Sequence, residues 1–257
     1  MPERNRRRPP SSRKLSKTPA RPSSRRDLER ALGAAADPQR AKSVAKFFKT
    51  AKGEYGEGDR FIGIAVPALR KIARQHVSLG LGDAARLLAS PIHEYRLAAL
   101  EILVAQYDPA GEAQRERIVA FYLRHTARMN NWDLVDAAAS RILGAHLRNH
   151  PRGILDRLAI SANLWERRIA MVATLALIRA GEVTDAHRVA EKLLGDEHDL
   201  IHKAVGWMLR ETGKVDSGAL LDFLRRHYRQ IPRTTLRYAI ERFPAAQRKK
   251  LLAGNFS

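Results

Sequence analysis

The chain has no cysteine among its 257 residues. That excludes disulfides, thiolate zinc sites, iron–sulfur clusters and a cysteine nucleophile, and it suits a reducing interior. Aromatic residues are scarce at 6%, which suits alanine- and leucine-rich helices better than a β-sandwich. No run of 18 apolar residues is present, so nothing is expected to span a membrane. The N-terminus lacks the apolar segment of a signal peptide. Acids are short as well: 27 face 47 basic residues, for a net charge of +20. A surplus of that size points to a polyanionic partner, nucleic acid being the usual one. Solubility charge, or the Arg and Ala bias of GC-rich coding, is the plainer explanation. A bacterial cytoplasmic, nucleoid-associated location is expected.

Hydrophobic residues make up 44% of the chain, enough for one sizeable folded body. Residues 1–26 hold ten basic residues against Glu3, with mostly Pro and Ser between them. Such a segment buries too little surface to offset its ordering entropy, so a disordered basic tail over 1–26 is expected, acting as a DNA tether. It resembles an organelle transit peptide in its Arg and Ser content, but its prolines oppose the amphipathic helix of such peptides. The tail carries +9 of the charge, and +11 stays on residues 27–257.

From Arg26 onward the pattern is helical. Ile118, Phe121 and Tyr122 follow i, i+3, i+4 spacing, and Ile169, Val172 and Ala176 follow i, i+3, i+7. Pro and Gly recur between helices of about 10–18 residues. Four segments then align at steps of 36, 36 and 35 residues: RLAALEIL from Arg96, WDLVDAAA from Trp132, RIAMVATL from Arg168 and KAVGWMLR from Lys203. Their third positions, Ala98, Leu134, Ala170 and Val205, are all apolar. A period near 35 predicts an all-α fold, an α-solenoid of HEAT-like antiparallel helix pairs with a concave binding face. A plain helical bundle is the alternative.

First and fifth positions of the repeat share one helix face. They supply Arg96, Trp132, Arg168 and Lys203, and Leu100, Asp136, Val172 and Trp207. Asp136 thus holds a carboxylate in a slot that its neighbours fill with Leu or Val, which is costly to bury alone. Either it forms an internal ion pair, with Arg168 one repeat on as its partner, or it is a reactive carboxylate in a partly desolvated groove, its charge held by that same arginine. Asp133 reads as a helix-dipole acid after the Asn130–Asn131 cap. Trp132 and Trp207 are core residues or walls of a site that could hold a sugar edge or a cationic ring. Trp165 reads as packing. His93, His125, His198 and His202 form no pair with metal-ligand spacing. His146 and His150 are i, i+4 but have no evident third ligand, so no metal site is expected. The GEYGEGDRF stretch at 53–61 lacks the ending of a phosphate loop, which argues against nucleotide hydrolysis.

NNWDLVD (130–136), NLWERRIA (163–170), IHKAVGWMLRE (201–211) and GEGDRFIGIAVPALRKIAR (56–74) resemble the DNA alkylation repair family, the AlkD-like HEAT-repeat DNA glycosylases. The resemblance covers roughly residues 30–245. It implies an enzyme that hydrolyses the N-glycosidic bond of cationic N3- and N7-alkylated purines in duplex DNA, with no metal and no cofactor. Matched by motif, Trp132 and Trp207 would be the aromatic cleft pair, Asp136 the catalytic carboxylate and Arg168 a DNA-contacting arginine. Tyr55 would be a further cleft residue, although the spacing before Phe61 departs from the family. Lys203 and Arg96, at first positions of the repeat, are expected on the same DNA-binding face. Residues 27–257 would then be one glycosylase domain, acting as a monomer on alkylated double-stranded DNA. Two other readings stand beside it: a non-catalytic binder of DNA structures on the same scaffold, and a protein- or RNA-binding solenoid.

Overall fold

The computed structural model describes residues 23–256. The tail expected over 1–26 therefore lies mostly outside the described residues. Its last part does not fit the expectation, because Arg25 and Arg26 open the first helix.

The chain begins with α1 (Arg25–Ala34), α2 (Pro38–Phe47), α3 (Val66–Gln75) and α4 (Leu81–Leu88). The middle carries α5 (His93–Tyr107), α6 (Glu112–Arg124) and α7 (Trp132–Ala138). A π turn, Ser140–Gly144, joins α7 to the short α8 (Ala145–Leu147). Next come α9 (Gly153–Ala159), α10 (Leu164–Ala173) and α11 (Leu175–Arg179). The C-terminal part is α12 (Thr184–Leu193), α13 (Asp199–Val215), α14 (Ser217–His227), α15 (Arg233–Ala239) and α16 (Ala245–Leu252). No strand occurs among the described residues, only one isolated bridge between Arg60 and Ile92.

Helix starts follow local chemistry. Ser24, Asp37, Asn131, Asn163 and Asp216 each accept a backbone N–H at the first turn of their helix, which satisfies donors the helix cannot pair itself. Packing follows the repeat. Helices α5, α7, α10, α13 and α15 lie against one another in sequence, while α4, α9 and α12 back onto α5, α10 and α13, and α6 backs onto α5 and the π turn. This two-layer stack of helix pairs is an α-solenoid.

The third-position residues Ala98, Leu134, Ala170 and Val205 are all buried, as the repeat predicts. So are Ile118, Phe121, Tyr122, Ile169 and Val172. Gly206 shows how closely the inner helices approach: a Cβ there would lie 2.5 Å from the Cβ of Tyr238 and 2.7 Å from the Thr235 carbonyl oxygen. No helix among the described residues is long and apolar enough to cross a membrane.

Candidate active site on the inner face

Five of the eight first and fifth positions line a common concavity of about 480 Å³, while Arg96, Leu100 and Val172 are buried away from it. Trp132 and Asp136 reach it from α7, Arg168 from α10, Lys203, Trp207 and Arg210 from α13, and Tyr238 from α15. The α2–α3 connection closes one side with Lys49 and Tyr55. Six residues singled out in the sequence therefore meet in one place: Tyr55, Trp132, Asp136, Arg168, Lys203 and Trp207.

Asp136 is held by a two-pronged ion pair. Arg168 donates from Nε to Oδ1 at 2.9 Å and from Nη2 to Oδ2 at 2.7 Å. Its remaining Nη1 donates to the Leu200 carbonyl at 2.7 Å. The ion pair with Arg168 raised by the sequence is present, with the arginine side chain 6% exposed and the carboxylate 20% exposed. Burial pushes the Asp136 carboxyl above its usual range, and the Arg168 charge and hydrogen bonds oppose that rise. A fork-shaped guanidinium pair fixes the carboxylate plane and keeps the anion tolerable in a half-dry site. Arg168 thus spends its donors on Asp136 and the Leu200 carbonyl.

The aromatic wall is built from local stacking. Trp132 lies on Phe48 with centroids 5.1 Å apart and planes 17° apart, and Phe48 stacks on Phe61 at 5.1 Å. Phe61 in turn stacks on His93 at 4.5 Å. Tyr55 meets Trp165 edge-on at 6.1 Å. Burial raises the Tyr55 pKa, so the phenol stays neutral. The loop reaches this position because its chain doubles back: Gly56 donates to the Lys49 carbonyl at 3.0 Å. A Cβ at Gly56 would lie 2.4 Å from the Phe48 carbonyl oxygen, so only glycine fits there.

Behind the wall lies a buried ionic cluster that the sequence did not suggest. His93 Nδ1 is 3.0 Å from Asp59 and its Nε2 is 2.8 Å from Asp133. Burial alone would lower the His93 pKa, but hydrogen bonds to Asp133 and Asp59 outweigh it and raise the group to about 9. The imidazolium thus joins the α2–α3 loop to the start of α7. Asn130 donates to Asp59 at 3.0 Å and closes the cluster from the loop before α7. Asp133 is therefore more than a dipole acid.

Arg96 belongs to this cluster and not to the inner face. It is 4% exposed, its Nη2 lies 2.6 Å from Asp59, and its Nη1 donates to the Ser90 carbonyl at 2.7 Å. The expected DNA contact at Arg96 is corrected accordingly: repeat register placed the residue on the right helix, but Asp59 draws the guanidinium inward. Lys49, Arg210 and Tyr238 line the concavity without having been singled out. Lys49 and Tyr238 lie outside the four aligned segments, and Arg210 falls at the eighth position of the last one. The cavity's lining holds four cations, Lys49, Arg168, Lys203 and Arg210, against the single acid Asp136. Lys203 and Arg210 are in turn shared with Asp199 and Glu241. A second concavity of about 510 Å³ between α15 and α16 is lined by Arg233, Arg237, Arg248 and Lys249 with no acid.

The model of the family described as DNA alkylation repair enzyme matches residues 28–243, most of the chain and every lining residue of the inner concavity. The chain belongs to this family. A predicted DNA alkylation repair enzyme from Enterococcus faecalis has a similar structure, with a TM-score of 0.64 over 82% of this chain and 97% of that one. At 17% identity this likeness speaks for the fold alone. No curated protein matches the chain. Family membership supports a role in repair of alkylated DNA, and α16 and the N-terminal tail lie beyond the matched residues.

Proposed function

We propose that the protein is a DNA glycosylase that releases cationic N3- and N7-alkylated purines from duplex DNA. One observation carries this reading above the others. A partly exposed carboxylate, held by an arginine, shares a positively lined cleft with two tryptophans.

Alkylation at N3 or N7 makes the purine a cation and a good leaving group. As the C1′–N9 bond breaks, its electron pair goes to the base, which departs neutral, and positive charge builds on the deoxyribose. In this reading the Asp136 carboxylate stabilises that charge and orients water. Water adds at C1′ and its proton passes to Asp136 or solvent, leaving an abasic site. Asp136 need supply only a few kcal/mol, or about 10²–10³ in rate, since the leaving group is already activated. The indole faces of Trp132 and Trp207 suit a sugar edge and a cationic ring, while Lys49, Lys203 and Arg210 suit flanking phosphates. The basic N-terminal tail and the α15–α16 groove would add backbone contacts. No group in this scheme calls for a metal or cofactor, and a monomer suffices.

Duplex DNA carrying 7-methylguanine tests the proposal. Purified protein is expected to release free base and leave alkali-labile abasic sites, and its affinity for duplex is expected to fall steeply with salt. Tight, salt-sensitive binding without base release would favour the non-catalytic binder of DNA structures instead.

A further inference from the structure

The end of the α7–α8 segment carries a cluster that the cleft chemistry does not use. His146 in α8 and His150 just beyond it approach Glu112, the first residue of α6. One ligand atom from each lies within 4.8 Å of the others. The sequence spacing of the two histidines showed no third partner, because Glu112 is 34 positions upstream of His146.

The hydrogen bonding leaves a place for a cation. His150 Nδ1 donates to the His146 carbonyl at 2.8 Å, which turns its Nε2 toward Glu112 Oε1 at 3.0 Å. A neutral imidazole nitrogen and a carboxylate oxygen are both acceptors, so that approach needs a positive centre between them. A proton on His150 would satisfy this pair alone. His146 would gain nothing, and its buried Nδ1 has no hydrogen-bond partner. Both rings sit at the C-terminal end of a helical run, where the backbone carbonyls favour positive charge.

We propose that Glu112, His146 and His150 form a binding site for a divalent transition metal of the zinc class. Two imidazoles and one carboxylate suit zinc, nickel or copper better than magnesium or calcium, and water would complete the coordination. The rings now lie 3.7 Å apart and 12° from parallel, so one must rotate to share an ion. Ligand atoms about 3.4 Å apart, as zinc–nitrogen bonds of about 2.1 Å demand, are within reach because Glu112 is 58% and His150 30% exposed. The ion would staple the start of α6 to the end of α8. Ten residues of helix separate His146 from Asp136, about 15 Å, so the site is apart from the proposed base-release chemistry and does not depend on it.

The test uses untagged, chelator-treated full-length protein titrated with ZnCl2 by calorimetry, and with CoCl2 by visible absorption. One equivalent of zinc with a micromolar dissociation constant is expected, with a cobalt spectrum of low coordination number. Saturating zinc should raise the melting temperature by roughly 5 °C. His146→Ala and His150→Ala should each weaken zinc binding about 100-fold, and Glu112→Gln about tenfold. Far-UV circular dichroism checks that each variant keeps its fold. Zinc binding that persists in the histidine variants, or no binding by the unmodified chain at about 100 µM zinc, overturns the proposal.

Discussion

Asp133 and Asp136 stand one helical turn apart on α7, and the protein puts them to opposite uses. Asp133 turns back to His93, which with Asp59 forms a cluster whose His and Asp59 side chains are only 2–3% exposed. Asp136 turns to Arg168 on the next repeat and keeps a fifth of its surface open to the cleft. The first carboxylate meets the buried His93 through Oδ2 alone and ties the start of α7 to the cluster behind the wall. The second is paired with Arg168 and lines the inner concavity. The two carboxylates differ little in exposure, 16% against 20%, so what separates them is what they face: Asp136 lines the inner concavity, whereas Asp133 faces the buried His93.

Breaking the enclosed cluster should have the largest effect. His93→Ala leaves Asp59 and Asp133 without their shared donor, and a loss of about 3–5 kcal/mol in urea unfolding is expected. A loss below about 1 kcal/mol would mean that the cluster does not hold the wall.

The pH dependence sharpens the same contrast. His93 is raised to about 9 in the fold, against about 6.5 unfolded. Its contribution of about 3 kcal/mol is therefore complete below pH 6.5 and is lost as pH rises through about 9. Asp59 is lowered, with burial opposed by His93, Arg96 and Asn130, so its contribution holds above its unfolded pKa and is lost on acidification. Native stability should fall from pH 6.5 toward 9, and His93→Gln should flatten that slope. An unchanged slope would place the titrating group elsewhere.

A smaller effect is expected at the open side. Trp207→Ala removes one indole face from the cleft while α13 keeps its buried face. Base release should fall about tenfold, the size of a desolvated cation–π contact, with stability changed little. A variant that turns over normally would remove Trp207 from the site.

The fold was legible because α-solenoids repeat: a step of 35–36 residues located four inner helices and their buried third positions. Trp132, Asp136, Arg168, Lys203 and Trp207 came with it at first and fifth positions, whereas Leu100 and Val172 at the same register are fully buried. Arg96 failed by the same logic. Register fixes a helix face but not a partner, and Asp59 comes from a loop 37 positions away. The His93 cluster and the stack of Phe48 and Phe61 under Trp132 were hidden for that reason, as was Glu112 beside the His146–His150 pair. Non-periodic loops bring residues together through tertiary contacts that no spacing encodes. The tail over residues 1–22 lies outside the described residues.

The most direct measurement compares two single substitutions on one helix. Single-turnover base release from a 7-methylguanine duplex is followed for Asp136→Asn and Asp133→Asn beside the unmodified chain, with duplex affinity and urea unfolding measured in parallel. Asp136→Asn should slow release about 10²–10³-fold while binding stays within a few-fold. Asp133→Asn should cost about 1–3 kcal/mol of stability with release slowed less than about tenfold. Unimpaired release by Asp136→Asn would contradict the account.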